Sequence, residues 1–284
     1  DSSVLNMEGG VTKIIYGNTH LTEVVLSSLA DPSHMILKLG VKDIQMGNLL
    51  LNQLHFAADF ADQELQFEIG FDDTDLVPWL RLSGSIHEDE DLEDLYVLSM
   101  GEDVLLHRDP WHIAPGHRIA FAQKRLQVDR FMLSGAAGSL GIQSTDLPLT
   151  EEEGTPDASP GQASSLRLDF SQFSIGQFFS SQDPPMASGI FNGMLELKDI
   201  YGQMGFVSDL HIDHLTYKGD TIGDVYLQAE STEADIYRFE SRISNYGNQV
   251  TARGTYKTGT DPDLDANISL THFELSTLEG FVQD

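Results

Sequence analysis

Strict alternation of apolar and polar residues recurs in short runs along this chain. In the clearest run, Leu65–Phe71, every odd position is large and apolar, and every even position is polar or glycine. Because side chains on a β-strand alternate between its two faces, such a run predicts a strand with one apolar and one polar face. The same period recurs in nine further runs: Met35–Val41, Leu54–Phe60, Ile119–Phe121, Leu126–Val128, Leu166–Phe170, Leu195–Leu197, Leu210–Ile212, Val225–Ala229 and Ile268–Leu270.

Weak internal repeats accompany this alternation. Residues 168–179 match residues 268–279 in pattern, and residues 37–58 match residues 210–229. In the first pair, an alternating strand is followed by a small residue, Ser276 in the second copy, that opens a short helical turn. The sequence therefore predicts an all-β protein with one or two short helical turns. Its hairpins would be successive rungs of an extended sheet or a plain hairpin meander.

Composition excludes several classes of function. Hydrophobic residues make up 40 % of the 284 residues, as in ordinary globular proteins. The net charge of −29, from 45 acidic and 16 basic residues, repels nucleic acid and excludes it as a partner. The chain contains no cysteine, which excludes disulfides and thiolate zinc sites. The longest apolar stretches, such as Val24–Leu26 and Leu49–Leu51, are far too short to span a bilayer.

One segment interrupts the strand pattern. Residues 146–165 are rich in proline, glycine, glutamate and small polar residues, a composition typical of an exposed loop. The sequence thus predicts a β-segment over 1–147, a flexible acidic loop over 148–163 and a second β-segment over 164–284. The chain begins at Asp1 without a signal-peptide pattern, and we expect it to be an excised piece of a longer protein.

Candidate chemical motifs are all incomplete. His107, His112 and His117 are spaced by five residues, which places successive imidazoles on opposite faces of a strand and disfavours zinc binding. Residues 261–265 and 72–75 imitate the first half of a calcium loop but lack the rest of it. We therefore predict no catalytic residue, no metal site and no cofactor, and a protein that is not an enzyme.

The nucleophile-elbow pattern is also absent. Residues 138–141 place Ser139 between glycines, but another alternating segment follows them where that motif requires a helix.

Several longer stretches combine glycine, tryptophan and alternating strands in a recognisable order. Residues 109–121 contain Trp111 near Pro110, and residues 126–135 follow with an alternating strand. Residues 188–197 and 210–225 form glycine-bounded alternating strands. These stretches resemble the TamB family (translocation and assembly module, AsmA-like superfamily), in particular its C-terminal half, where the tryptophan lies in a turn. The likeness covers roughly residues 30–284.

The resemblance implies a fold, a location and partners. The fold is an elongated curled sheet (a β-taco, or open β-solenoid-like trough) with an apolar concave face. The location is the periplasm of a Gram-negative bacterium, within a longer parent protein anchored in the inner membrane. The implied function is a hydrophobic groove for phospholipid transport between the inner and outer membranes. Implied partners are phospholipid acyl chains, an outer-membrane Omp85-type protein and unfolded outer-membrane proteins.

The apolar side of the alternating strands supplies the candidate groove lining. The predicted lining residues are Leu37, Leu39, Val41, Leu54, Phe56, Leu65, Phe67, Ile69, Ile119, Phe121, Leu126, Val128, Leu195, Leu197, Leu210, Ile212, Val225 and Leu227. The competing structural interpretation is a closed, dry β-sandwich core.

Two alternative functions follow from other features of the same sheet. One is a scaffold for assembly of outer-membrane β-barrel proteins, in which unpaired sheet edges accept client strands by β-augmentation. The other is a carbohydrate-active or adhesive β-solenoid. That class has little support because Trp79 and Trp111 are the only tryptophans available for an aromatic platform.

Overall fold

A computed structural model describes residues 4–46, 49–89, 92, 94–145, 165–176, 186–233, 235–259 and 262–272. The described residues form twenty β-strands, and the predicted all-β class is confirmed. The helical turns predicted after Gly176 and Ser276 fall on residues 177–185 and 273–284, which lie outside the described ranges.

The strands are numbered in chain order. They are β1 (Leu5–Tyr16), β2 (Thr19–Ala30), β3 (His34–Met46), β4 (Leu49–Ala61), β5 (Glu64–Asp72), β6 (Pro78–Glu88), β7 (Tyr96–Met100), β8 (Asp103–Leu106), β9 (Asp109–Ile113), β10 (Arg118–Ala122), β11 (Arg125–Asp129), β12 (Phe131–Gly135), β13 (Gly138–Ser144), β14 (Leu166–Ser174), β15 (Ala187–Lys198), β16 (Gly205–Tyr217), β17 (Asp220–Glu233), β18 (Ile236–Ser244), β19 (Gln249–Lys257) and β20 (Asp263–His272).

The chain forms two compact units, residues 1–122 (unit 1) and 123–284 (unit 2). In unit 1, β1 to β6 pair consecutively and antiparallel. β6 then pairs with both β7 and β8, β7 pairs with β10, and β8 pairs with β9. Where these short strands gather, the side chains of Val97, Trp111, Ile113 and Ala120 are buried.

Unit 2 is a longer antiparallel meander in which β12 to β20 pair consecutively. The predicted turn at Lys218 and Gly219 is confirmed, because Tyr217 and Asp220 face each other as the closing pair of the β16–β17 hairpin. β13 and β14 pair directly across the predicted loop 148–163, itself outside the described residues. In the described part of each unit the sheet is open.

A left-handed residue resets the alternation in the middle of β2 and of β4, at Glu23 and Gln53. Glu23 has φ 47°, and the β2–β3 ladder has no pair at this position. As a result Leu21 and Val24, three residues apart, both pack against the buried side chains of Val41 and Ile44. The pairs on both sides of Glu23 keep one register, so the left-handed residue changes the face without an extra residue in either strand.

A left-handed residue also resets the alternation in unit 2, where it accompanies a β-bulge. Gln172 has φ 51°, and the β14–β15 register shifts between Phe170 and Phe173. Both phenylalanine rings contact their neighbours on the same face: the Phe170 ring lies 5.9 Å from that of Phe173 and 4.8 Å from that of Phe191. The apolar side of the sheet is therefore continuous through these irregularities.

Candidate functional site: an apolar sheet face

Cross-strand rows of apolar side chains cover one side of the unit 1 sheet. Residues directly opposite each other in an antiparallel ladder project from the same face. The ladders align one such row across five strands: Leu26, Leu39, Phe56, Ile69 and Leu82. We call the side that carries this row the apolar face of unit 1.

Phe67 lies at the centre of this face. It stands opposite Ala58 on β4 and Gly84 on β6, and it is half-buried. Its ring lies so close to Gly84 that a Cβ at this glycine would be 2.8 Å from Phe67 Cζ. The small neighbours therefore leave room for the large ring to lie along the sheet.

Unit 2 has an apolar row that crosses seven consecutive strands. The row consists of Phe173, Phe191, Ile212, Val225, Ile243, Val250 and Leu270. At a strand spacing of about 4.8 Å, its six intervals span roughly 29 Å. We call the side that carries this row the apolar face of unit 2. Phe173 is buried, Leu270 is 62 % exposed, and the five residues between them are half-buried.

The ladders bring most of the predicted lining residues together within their unit. Of the eighteen, Val41 and Val128 are buried and the other sixteen are half-buried. Leu126 and Val128 lie on β11, outside the aligned rows, where the Val128 N–H donates to Ser144 Oγ at 2.9 Å. The remaining predicted lining residues fall on the apolar faces through β3 to β5, β10 and β15 to β17.

The opposite side of unit 1 is polar. Gln66 faces Asp59 and Ser85, and His34 Nε2 lies 2.6 Å from Asp59 Oδ1. A surface depression of about 650 Å³ lies against this side, lined chiefly by polar side chains that include Lys38 and Gln66. Exposed ion pairs of this kind contribute little to stability and keep the surface hydrated.

The polar side of unit 2 carries alternating charges. Arg253 faces Glu240, and Arg238 Nη1 lies 3.1 Å from Glu230 Oε1. These four side chains line a depression of about 710 Å³. The principal depressions of both units thus lie against polar sides, and the predicted apolar concave trough stays a prediction.

The three clustered histidines occupy separate environments. The His107 ring packs on Trp79 with ring centroids 4.0 Å apart, and His112 Nδ1 lies 3.9 Å from an Asp103 carboxylate oxygen. His117 Nε2 accepts the Met100 N–H at 2.9 Å. Within the described ranges, no group of three or more histidine, aspartate or glutamate side chains could hold a metal ion.

Asp73, in the acidic turn 72–75, serves the turn itself. Its Oδ1 accepts the N–H of Asp75 at 2.7 Å and of Val77 at 3.1 Å, and its other oxygen pairs with Arg108. Burial opposes ionisation of this carboxyl, but these donors outweigh burial and hold the pKa of Asp73 below its ordinary value. Backbone N–H groups and the Arg108 guanidinium therefore hold this carboxylate in the turn.

Asp224 has the same kind of role at the β16–β17 ladder. The N–H of His214 donates to Asp224 Oδ1 at 2.9 Å, and the Asn245 amide donates to Oδ2. The His214 hydrogen bond is the main cause that lowers the pKa of Asp224, and burial opposes it. The ionised carboxylate of Asp224 on β17 thus holds the backbone of β16 at His214, the left-handed residue with φ 53°.

Trp111 lies within strand β9, opposite Val104, and is only 4 % exposed. The family resemblance implied a turn around Trp111, and this expectation is wrong. The apolar face also includes residues that the alternation did not predict. Ile44 follows the predicted run Met35–Val41 by a three-residue step, and Leu21 lies on β2, where no run was predicted. Ile243 belongs to an alternating segment of β18 that could have been found by its period.

Comparisons of the chain with protein-family models, with curated proteins and with solved structures gave no match. Across the part of the chain that the structure describes, no helix combines the length and apolarity needed to cross a membrane. The functional interpretation therefore depends on the chemistry of the sheet faces.

Proposed function

We propose that the apolar faces bind phospholipid acyl chains, and that the chain belongs to a TamB-like conduit that moves phospholipids between two membranes. The observation that supports this most is the apolar row of seven strands in unit 2, most of whose side chains keep part of their surface exposed. A sealed core of the same residues would hide them from solvent. An apolar surface of this extent favours an apolar occupant.

The energetics suit acyl chains. Each methylene group removed from water contributes about 0.8 kcal/mol, and no directional polar contact is needed. The row length of roughly 29 Å is close to the hydrocarbon thickness of a bilayer, about 30 Å. Neighbouring rows offer nearly the same apolar surface. A bound acyl chain therefore moves from one row to the next at little cost in free energy. Binding would therefore be weakly selective and movement along the sheet easy.

The charge distribution supports the same proposal. Carboxylates crowd the polar sides and the net charge is −29. Such a surface keeps a sheet with an exposed apolar face in solution. It also repels anionic headgroups, so contact is favoured through the acyl chains.

We place this activity in the periplasm, within a longer parent protein anchored in the inner membrane, beside an outer-membrane partner of the Omp85 type. The resemblance of residues 109–135 and 188–225 to the TamB family supports this placement. The lack of cysteine agrees with a β-protein that folds in an oxidising compartment without disulfides.

Photo-cross-linking tests the proposal. Ile243 and Arg242 are neighbours on β18 that project from opposite faces. A photoreactive phenylalanine analogue at position 243 should capture phospholipid in cells, and the same group at position 242 should capture little. Mass spectrometry of organic extracts identifies the captured molecules. Equal capture at both positions, or none at position 243, would contradict the proposal.

A second candidate function rests on the edge strand of unit 2. Among the described residues β20 pairs only with β19, every residue of β20 is exposed, and Leu264 and Ile268 are each at least 60 % exposed. An unpaired edge with an apolar side can accept an amphipathic strand. This edge would assist assembly of outer-membrane proteins by β-augmentation. Cross-links from β20 to an unfolded outer-membrane barrel protein would support this function. Lipid in organic extracts of the chain, without binding of such a protein, would contradict it.

A further inference from the structure

The β3–β4 hairpin of unit 1 carries exposed apolar side chains on both sides of the sheet near its turn. Ile44 and Leu51 face each other in this hairpin and belong to the buried apolar cluster. Met46 lies two residues beyond Ile44 and projects from the apolar face, whereas Leu50 adjoins Leu51 and projects from the polar side. Both Met46 and Leu50 are exposed. The separation into one apolar and one polar side therefore stops at this end of the hairpin.

The loop between β5 and β6 lies beside this hairpin and is also apolar at its tip. Asn52 Nδ2, on β4, donates to the carbonyl oxygen of Asp73 at 2.8 Å, which holds the loop against the hairpin. The Asp73 carboxylate closes the turn and leaves Leu76 and Val77 exposed. We give the name apolar end of unit 1 to four residues: Met46, Leu50, Leu76 and Val77.

The turns at the other end of the same strands are acidic. Asp31 lies between β2 and β3, Asp62 lies between β4 and β5, and residues 89–94, after β6, read Asp-Glu-Asp-Leu-Glu-Asp. Exposed apolar residues such as Leu29 and Met35 also occur near this end, but the charged turns extend beyond them. One end of the unit 1 strands thus finishes in apolar side chains and the other in carboxylates.

We propose that the apolar end of unit 1 docks on the surface of a net-neutral phospholipid bilayer. A partner protein that packs on a sheet face covers one side only, whereas a bilayer surrounds an inserted tip and contacts Met46 and Leu50 together. Apolar groups at the boundary of headgroups and acyl chains are buried by about 5–10 Å, which two or three strand residues span. Docking requires no lipid transport along the sheet, so it goes beyond the proposed function.

Charge determines the orientation of the docked chain and the class of lipid. The net charge of −29 opposes approach to an anionic bilayer. β3 has 13 residues, so its two ends lie about 40 Å apart along the strand, well beyond the Debye length of about 8 Å. Docking through the apolar end therefore keeps the acidic turns away from the headgroups.

Co-flotation of the full 284-residue chain with lipid vesicles tests the docking. The chain should float with phosphatidylcholine vesicles, and this binding should persist in about 0.5 M salt, because burial of apolar side chains does not depend on charge. Vesicles that also contain phosphatidylglycerol should bind the chain less well at low salt.

Met46→Glu and Met35→Glu are a matched pair of variants on β3. Met46 is 43 % and Met35 is 42 % exposed, and both project from the apolar face, but they lie at opposite ends of the strand. Met46→Glu should weaken vesicle binding about tenfold or more, because a charge replaces a buried apolar side chain, and Met35→Glu should change it by less than about twofold. Leu76→Glu, in the exposed loop, should act like Met46→Glu. Far-UV circular dichroism verifies that each variant is folded.

A fluorescent label reports which end enters the bilayer. The chain has no cysteine, so Leu76→Cys and Gln63→Cys each accept one nitrobenzoxadiazole group. With phosphatidylcholine vesicles the label at position 76 should shift its emission to the blue, and the label at position 63, in an acidic turn, should not.

Four results would overturn the docking proposal: no flotation, stronger binding to the anionic vesicles, equal losses from Met46→Glu and Met35→Glu, or equal emission shifts at positions 76 and 63. Capture of lipid at position 243 does not depend on any of these results. Failure of the docking is therefore distinguishable from failure of the proposed function.

Discussion

Replacement of Phe67 by glutamate separates an accessible apolar face from a sealed core. Phe67 is half-buried between Ala58 and Gly84 at the centre of the apolar face of unit 1. A carboxylate at this position keeps access to water, and the stability lost is that of partial aromatic burial, about 1–1.5 kcal/mol. In a sealed core the same carboxylate would be an unpaired buried charge, which the fold would not tolerate.

The effect on binding follows from the contacts that are removed. A charged, hydrated group at the centre of the row displaces an acyl chain from about two or three methylene contacts, a loss of roughly 2 kcal/mol. This corresponds to an affinity about 30-fold weaker. A fluorescent fatty-acid analogue, titrated against the purified chain, measures the change directly.

Gln66→Glu is the matched control. Gln66 adjoins Phe67 but projects from the polar side and lines the depression there. This variant adds the same charge and should leave the affinity within about twofold, since it removes no apolar contact. Unfolding of Phe67→Glu would show that the face is closed. Weaker binding by Gln66→Glu would place the ligand on the polar side.

Two further predictions concern stability. Gly84→Ala should destabilise the chain by about 1–3 kcal/mol in urea unfolding, because its Cβ would lie 2.5 Å from the Ser99 carbonyl oxygen. Gly40→Ala, also inside a strand but with no atom within 4 Å of the new Cβ, should be neutral or slightly stabilising, and equal effects would refute the packing argument. The pKa of Asp224 is lowered in the folded chain, chiefly by the His214 N–H. The ionised Asp224 therefore stabilises the fold fully above the ordinary carboxyl pKa of 3.8, and this stabilisation is lost as pH falls through the lowered pKa. Asp224→Asn should therefore flatten the loss of stability that urea titrations detect between about pH 5 and pH 2, and an unchanged slope would contradict this role.

Alternation in the sequence was sufficient to predict the class of the fold and many of its strands. Leu65–Phe71 lies within β5, and the remaining runs also fall within strands. The alternation underestimated the strand lengths, since Met35–Val41 covers little more than the first half of β3. β1 and β2 were missed because each changes phase near its centre, so that neither keeps one period along its length.

The same resets limited prediction of the site. Glu23, Gln53 and Gln172 adopt positive φ without being glycine or asparagine, so the residue type gives no signal of the reset. Ile44 packs with Val41 although the two are three residues apart on β3, which alternation does not predict. By contrast, the ladders place Leu39, Phe56 and their predicted neighbours in common rows. Within a regular strand, side chains two residues apart always project from the same face, so alternation predicts the face correctly.

The pairing of each strand with its sequence neighbours also governs how such a protein assembles and diversifies. From β12 to β20 each described strand pairs with its neighbours in the sequence. Native contacts are then local along the chain, ordering can begin at any hairpin and spread in both directions, and stability accumulates hairpin by hairpin. Gain or loss of one hairpin changes the width of the sheet by two strand spacings, about 10 Å. The apolar residues of the other strands stay on the same face. The length of the molecule can thus be adjusted in evolution without redesign of its interior.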